Sequence, residues 1–354
     1  MSESPPPSGP ISIRELKRQA GQPAISARVW VQVEAVQEKE SRNGKPFLEI
    51  RVVDAEDGFT LRAWSDSPIF SAAGALLAGV VAELDGDWTQ NEWGVDAQRL
   101  MVRGLAADEA ALFFAGSAEM LAKQAADLAF IRETVATVQD PRLLGLCNAF
   151  FDQFGERFRR TAAARRNHHA RRGGLVEHVA QMMRAAVALQ AVYPWLNRDL
   201  LIAGVLFHDC GKLWENHCLE TSFAMPYSAV GELLGHIPIG MELVNKLWRD
   251  LKKLPVWSEW ESLEPASDSV RLHLLHLVAA HHGELQFGSP VLPKTPEAYA
   301  LHYIDNLDAK LEMVKDAYST GQSLAEGIIG RVRPLQANLV AQLPAFPGFE
   351  GPEG

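Results

Sequence analysis

The sequence predicts a multi-domain α+β protein, with a small β-barrel first and an all-α helical bundle after it. Two patterns carry this. Between residues 22 and 105 apolar and polar residues alternate in short runs broken by Asn-Gly and Asp-Gly turns. From about residue 106 the apolar residues recur at the three- and four-residue spacing of helices. A chain of 354 residues suits about two ordinary domains, and 47% apolar content allows each a core.

The first segment, residues 1–21, begins MSESPPPSGP and reads as a disordered tail. It has neither the basic start nor the apolar stretch of a signal peptide. The barrel follows over 22–105. VWVQVEAV alternates, Asn43-Gly44 turns the chain, FLEIRVVD alternates again, Asp57-Gly58 turns it back, and FTLRAW makes a third strand. A helical patch near 67–80 and further short strands over 81–102 complete the order of a five-stranded OB-type barrel. Strand phase places Val29, Val31 and Val33 on one face, and Leu48, Ile50 and Val52 on one face. Trp30, Phe47 and Trp64 therefore lie on otherwise polar faces, where aromatic rings can stack the bases of a single strand. The plainer reading is that this face packs on the second domain. Residues 106–160 read as a helical connector, 161–332 as the bundle, and 333–354 as a Pro/Gly-rich C-terminal tail.

Bulk properties narrow the function. No apolar run approaches the roughly 20 residues of a membrane span. Cys147, Cys210 and Cys218 form no disulfide framework, which fits a cytoplasmic protein. The net charge of −10 argues against sequence-blind duplex binding. One basic stretch stands apart: Arg159, Arg160, Arg165, Arg166, Arg171 and Arg172. It reads either as a solvated face or as a phosphate-guiding patch at the mouth of a site.

Histidine and aspartate recur through the helical half. His178 lies in GGLVEHV on the side of Leu175 and Met182, so it points inward. His208 and Asp209 end the apolar run LLIAGVLF, and Lys212 follows in HDCGK, within reach of a phosphate oxygen. Gly211 reads as a helix stop or bend. His236 precedes Ile237-Pro238 at a helix start. His281 and His282 close a helix before Gly283, and one of the two is expected to be a ligand. Asp305 shares a helix with Leu301, Ile304 and Leu307, with His302 one turn before it. Imidazoles and carboxylates are the ligands of divalent ions that activate water. Taken singly, each of these residues reads as a core or capping residue. A zinc ribbon built on Cys210, His217 and Cys218 fails on spacing.

The order His…His-Asp…His…His…Asp is that of the HD phosphohydrolase superfamily. Together, NHHARRGGLVEHV, LFHDCGKLWE, LLGHIPIG and HHGELQFGSPVLPKTPEAYALHYIDNLDAKLEM resemble the YhaM-type 3′→5′ exoribonuclease family over roughly residues 22–320. In that family an OB-type domain precedes an HD domain. The resemblance implies a metal-dependent enzyme that trims single-stranded RNA, or single-stranded DNA, from the 3′ end. It implies metal roles for His178, His208, Asp209, His236, His281 or His282, and Asp305. One or two divalent ions are expected per site, manganese first, with magnesium or iron as alternatives. Asp209 and Lys212 are the expected catalytic groups. Trp30, Phe47, Trp64, Arg165, Arg166, Arg171, Arg172 and His169 are the expected nucleic-acid contacts. No membrane partner is expected, and a homo-oligomer is compatible with the chain. The rival readings are an HD phosphohydrolase acting on a small nucleotide and a non-catalytic OB-fold DNA- or RNA-binding protein.

Overall fold

The computed structural model describes residues 9–21, 23–91, 94–165, 169–321 and 323–344. The N-terminal half is built on one five-stranded antiparallel sheet. Its strands are β1 (Ile25–Glu40), β2 (Pro46–Val53), β3 (Gly58–Trp64), β4 (Val81–Asn91) and β5 (Gly94–Gly104). They lie in the order β3-β2-β1-β4-β5. Val29, Val31 and Val33 of β1 and Ile50 and Val52 of β2 are fully buried, so the alternation read from sequence sets the core face. The register of β1 against β2 shifts between Val33 and Ala35. The sheet is OB-like in strand order but open, because among the described residues no ladder joins its edges, β3 and β5. The expected closed barrel is corrected to this extent.

Residues 1–8 of the expected tail lie outside the described residues, and the rest of it is more ordered than its composition implied. Helix α1 (Ile13–Gln19) docks on the sheet with Ile13 and Leu16 fully buried. Ser12 caps it, and the buried carboxylate of Asp54 accepts from Ile13 N at 2.6 Å. Two apolar residues three apart are too short a pattern to announce a helix, so the sheet surface decides this one. A single turn, α2 (Phe70–Ala73), separates β3 from β4.

The helical half begins with α3 (Ala107–Ala115), α4 (Ala118–Val135) and α5 (Pro141–Arg160). The connector is not a spacer: α5 places Leu146, Phe150 and Phe158 in the bundle core, where Phe150 meets Phe207 edge-on at 5.4 Å. The bundle continues through α6 (Gly174–Val192), α7 (Arg198–Phe207), α8 (Lys212–Glu215), α9 (Ala229–Leu234), α10 (His236–Leu251), α11 (Trp257–Trp260), α12 (Ser267–Ala280) and α13 (Pro296–Thr320). Helix α7 is buried along its whole apolar run and is capped by Asn197. No helix among the described residues is long and apolar enough to cross a membrane. Beyond α13, β6 (Ser323–Ala325), β7 (Ile328–Ile329) and β8 (Leu339–Val340) form a small sheet, so the expected C-terminal tail is structured through residue 340.

A third apolar cluster joins the halves. Phe113 and Phe223 lie edge-to-face at 5.1 Å beside Val53 and Ala55 of the sheet domain. The Gln32 side-chain carbonyl accepts from Ser222 Oγ, Phe223 N and Ala224 N at 3.1, 2.8 and 3.2 Å. The polar face of β1 is thus partly an internal joint.

Candidate metal centre and nucleic-acid surfaces

Three helix ends and two helix faces converge on Asp209. His178 projects from α6, His208 caps the end of α7, His236 opens α10, His281 and His282 close α12, and Asp305 lies on α13. Close backbone approach makes this convergence feasible. A Cβ on Gly211 would sit 1.9 Å from the His236 carbonyl oxygen, so glycine lets α10 start against the turn that carries Asp209. Gly211 has a helical φ of −68°, so it serves close approach rather than the helix stop expected from sequence. Gly283, at φ +75°, does end its helix, and any side chain there would strike His302.

The imidazoles are oriented from behind. His208 Nδ1 donates to Val205 O at 2.8 Å, and His281 Nδ1 donates to Val278 O at 2.7 Å. His178 Nδ1 is 2.7 Å from Asp308 Oδ2, His236 Nδ1 is 3.2 Å from Glu215 Oε2, and His282 Nδ1 is 2.8 Å from Phe287 O. With Nδ1 carrying the proton in each ring, every Nε2 presents a lone pair.

Those lone pairs fall into two groups, one on each side of Asp209. On one side His178 Nε2 and His208 Nε2 are 3.3 Å apart, and both approach Asp209 Oδ2, at 3.8 and 3.3 Å. Asp305 Oδ1 stands 3.3 Å from His178 Nε2. On the other side His236 Nε2 and His281 Nε2 approach Asp209 Oδ1 at 3.4 and 3.6 Å, with His282 beside them. Asp209 Oδ1, His236 Nε2 and His281 Nε2 are all buried without a hydrogen-bond partner. Buried acceptors facing one another are costly unless a cation lies between them. The donor set, imidazole and carboxylate, is that of divalent transition ions. The residues on either side of Asp209 therefore fit a divalent ion.

The electrostatics point the same way. Burial opposes ionisation of Asp209, but Lys212, His208 and His281 outweigh it and hold the carboxyl well below its usual range. Burial likewise disfavours charge on His178, yet Asp305 and Asp308 override it and raise the imidazole to about 9. A divalent ion would displace that second proton from Nε2 and take its place. Burial keeps His236 and His281 below the ordinary imidazole value, and therefore neutral.

Residue by residue, the expected ligands all reach the site, and both His281 and His282 do so rather than one. Lys212 Nζ lies 2.7 Å from Asp209 Oδ2. His302 donates from Nδ1 to His281 O at 2.9 Å and so supports a ligand from behind. Within the Asp305 helix, Leu301 and Ile304 face the core as expected, but Leu307 is exposed.

The nucleic-acid contacts divide differently. His169 is not at the surface: it is 1% exposed, and its Nε2 lies 3.1 Å from the same Asp308 oxygen that holds His178. The expectation that it meets a substrate phosphate is corrected to a buried position behind a ligand. Three arginines of the basic stretch are likewise turned inward, while Arg159 stays exposed and pairs with Glu156 at 3.2 Å. Arg165 donates to the carbonyls of Met225, Glu215 and Pro226 and stacks on Tyr227. Arg171 pairs with Glu177 at 2.5 Å. Arg172 donates to Glu220 O and Phe114 O and lies over Phe223. The guanidinium groups of Arg165 and Arg172 tie loops to helices because each satisfies several carbonyls at once. Arg166 and His168 lie outside the described residues. Trp30 donates to Glu83 at 3.0 Å and packs into the cluster that joins the two halves, whereas Phe47 and Trp64 stack on each other at 4.6 Å beside an open groove of about 450 Å³.

Sequence reasoning missed Asp308 and Glu215, the groups behind the ligands, and gave His169 a different role. The signal for Asp308 was present: it lies three residues after Asp305, so α13 presents both acids toward α6.

Comparison with known proteins agrees with this geometry. The HD domain family model matches residues 175–310, the span from the start of α6 to the acidic turn of α13. A protein described as 3′-5′ exoribonuclease YhaM from Geobacillus sp. (strain WCH70) is 32% identical over 290 residues, covering 82% of this chain and 84% of the relative. The chain belongs to the YhaM exoribonuclease family. A second member, from Oceanobacillus iheyensis, is 31% identical over 274 residues, 77% of this chain and 80% of its own. Membership and the HD domain together make this protein an enzyme of the nuclease and phosphohydrolase class.

Proposed function

We propose that this protein is a divalent-metal-dependent 3′→5′ exonuclease that releases 5′-mononucleotides from single-stranded RNA, with single-stranded DNA as a second substrate. The relatives' description as 3′-5′ exoribonucleases supports the reading. The observation that carries it is the division of lone pairs across Asp209, with Oδ2 facing His178 and His208 and Oδ1 facing His236 and His281. His178, His208, Asp209 and Asp305 would hold one ion. His236, His281 and His282, with Asp209 shared, would hold the other. Manganese is the first expectation.

Bound divalent ions supply polarisation of a water and compensation of charge on the phosphoryl oxygens. The chain's own groups do the rest. Lys212 keeps Asp209 ionised and pointed, and its ammonium borders the same pocket, where a phosphate oxygen would lie. Glu215 and Asp308 keep the ligand imidazoles in the tautomer that offers Nε2. Phe47 and Trp64 hold the strand upstream by stacking its bases. The three buried free thiols fit a reducing cytoplasm.

The test uses one RNA oligonucleotide labelled at either end. With manganese, a 5′ label is expected in a ladder that shortens step by step, and a 3′ label in mononucleotide from the first turnover. Chelator should stop both. Internal fragments from either label, or hydrolysis of free nucleotides with the RNA left whole, would overturn the proposal.

A further inference from the structure

Next to the metal-facing residues lies a pocket of about 360 Å³, bordered by Asp209 and Asp305. This is near the small end of ligand sites, which run from about 300 to 1,000 Å³. It has room for one nucleotide and not for two. Its walls are Phe287, Asn306, Lys310, Met313 and Pro334.

Three properties of these walls suit a bound ligand. Phe287 is 58% exposed, although it is one of the large apolar residues. It is also held in place, because His282 Nδ1 donates to its carbonyl at 2.8 Å. The His282 ring, which stands beside His236 and His281, thus also holds the Phe287 backbone at the pocket mouth. Asn306 and Lys310 lie four residues apart on α13, one and five residues after Asp305. Both are exposed to the pocket, and neither side chain has a hydrogen-bond or ion-pair partner among the described residues. Met313 continues the same stripe, and Pro334 closes the opposite side from the C-terminal segment.

An anchored but unpacked aromatic ring, a free cation and a free amide around one cavity match a nucleotide's base, phosphate and sugar. We infer that this pocket binds the 3′-terminal nucleotide of the substrate, with its base on Phe287 and its phosphate near Lys310. The inference rests on the exonuclease reading for its substrate and adds the residues that seat the terminus. Asn306 faces the sugar hydroxyls. Pro334 limits the pocket to a single residue, which gives a mononucleotide product.

The experiment measures binding to the manganese-loaded full chain of two probes, adenosine 5′-monophosphate and ribose 5-phosphate. They share the sugar and phosphate and differ only in the base. Phe287→Ala is expected to weaken the adenosine monophosphate about tenfold, the loss of one base stack. It should leave ribose 5-phosphate affinity unmoved, and Phe287→Trp should restore the nucleotide. Lys310→Ala should weaken both probes alike. Manganese affinity, read by titration, checks that each variant keeps the centre assembled. Equal loss of both probes in Phe287→Ala, or loss of neither, would overturn the inference. If wild-type protein binds the nucleotide through Phe287 but shortens no RNA, the exonuclease reading falls and the pocket stands. If RNA is trimmed and Phe287 is indifferent to the base, the pocket assignment falls alone.

Discussion

The metal centre and the outer face of the sheet are both made of residues that look misplaced in sequence, polar groups on apolar helices and aromatics on polar strands. The structure resolves them in opposite ways. In the bundle, every expected ligand converges on Asp209, and each imidazole is gripped from behind by a second group. On the sheet the aromatics part company: Trp30 is drawn into the joint beside Phe113 and Phe223, while Phe47 and Trp64 remain beside an open groove. A buried polar cluster has few physical solutions, because each unpaired group is expensive. A half-exposed aromatic has two inexpensive ones, a ligand or a neighbouring domain.

The largest effect expected from breaking this contrast is at Asp209. Asp209→Ala removes the group shared by both imidazole sets, and hydrolysis should fall by about a thousandfold or more. Thermal unfolding should still show a folded chain. Cation-dependent cleavage at near wild-type rate by that folded variant would refute the assignment.

Asp308→Asn tests whether the grip from behind matters. The amide can still meet His178 Nδ1 but no longer fixes its proton, so manganese affinity should drop about 10–100-fold. Calorimetric titration of the chelator-treated protein reads this without turnover. An unchanged affinity would reduce Asp308 to a packing residue.

A smaller pair of effects separates the two kinds of aromatic. Trp64→Ala should weaken binding of a single-stranded RNA, by about 1–3 kcal/mol for one lost stack, while the melting temperature barely moves. Trp30→Ala should do the reverse, because its indole seals the joint. If Trp30→Ala left stability intact and abolished RNA binding, the division of the sheet face drawn above would be wrong.

The smallest effect concerns the loop that links the two regions. His217 is held down to about 4 by partial burial and by Arg157 and Arg160. The fold therefore favours its neutral form. Its contribution to stability is present above pH 6.5 and is lost as pH falls from there toward 4. Urea midpoints at pH 7 and pH 5 should differ less in His217→Gln than in wild type, and an identical difference would remove His217 as a cause.

Much of the molecule was legible before any coordinates. Strand phase put Val29, Val31 and Val33 inside because a period of two admits one buried face. The ligand residues stood out because His and Asp on apolar helices demand a partner. What was not legible has a common cause, long-range contact. Ile13 and Leu16 make a helix only because β1 and Asp54 receive it. The arginines after α5 looked like a phosphate track, yet Arg165 and Arg172 find carbonyls some fifty residues away. His169 matched the family string but lies behind Asp308, a position set by how α6 meets α13.

By itself the sequence picked out the histidines and aspartates that meet in one pocket, since residue type and helix or strand period are local properties of a chain. Only the tertiary structure decided what each one faces. Lone pairs on Nε2, the two-sidedness of Asp209 and the covering of Trp30 depend on directions between elements, and those are set by packing rather than by order along the chain.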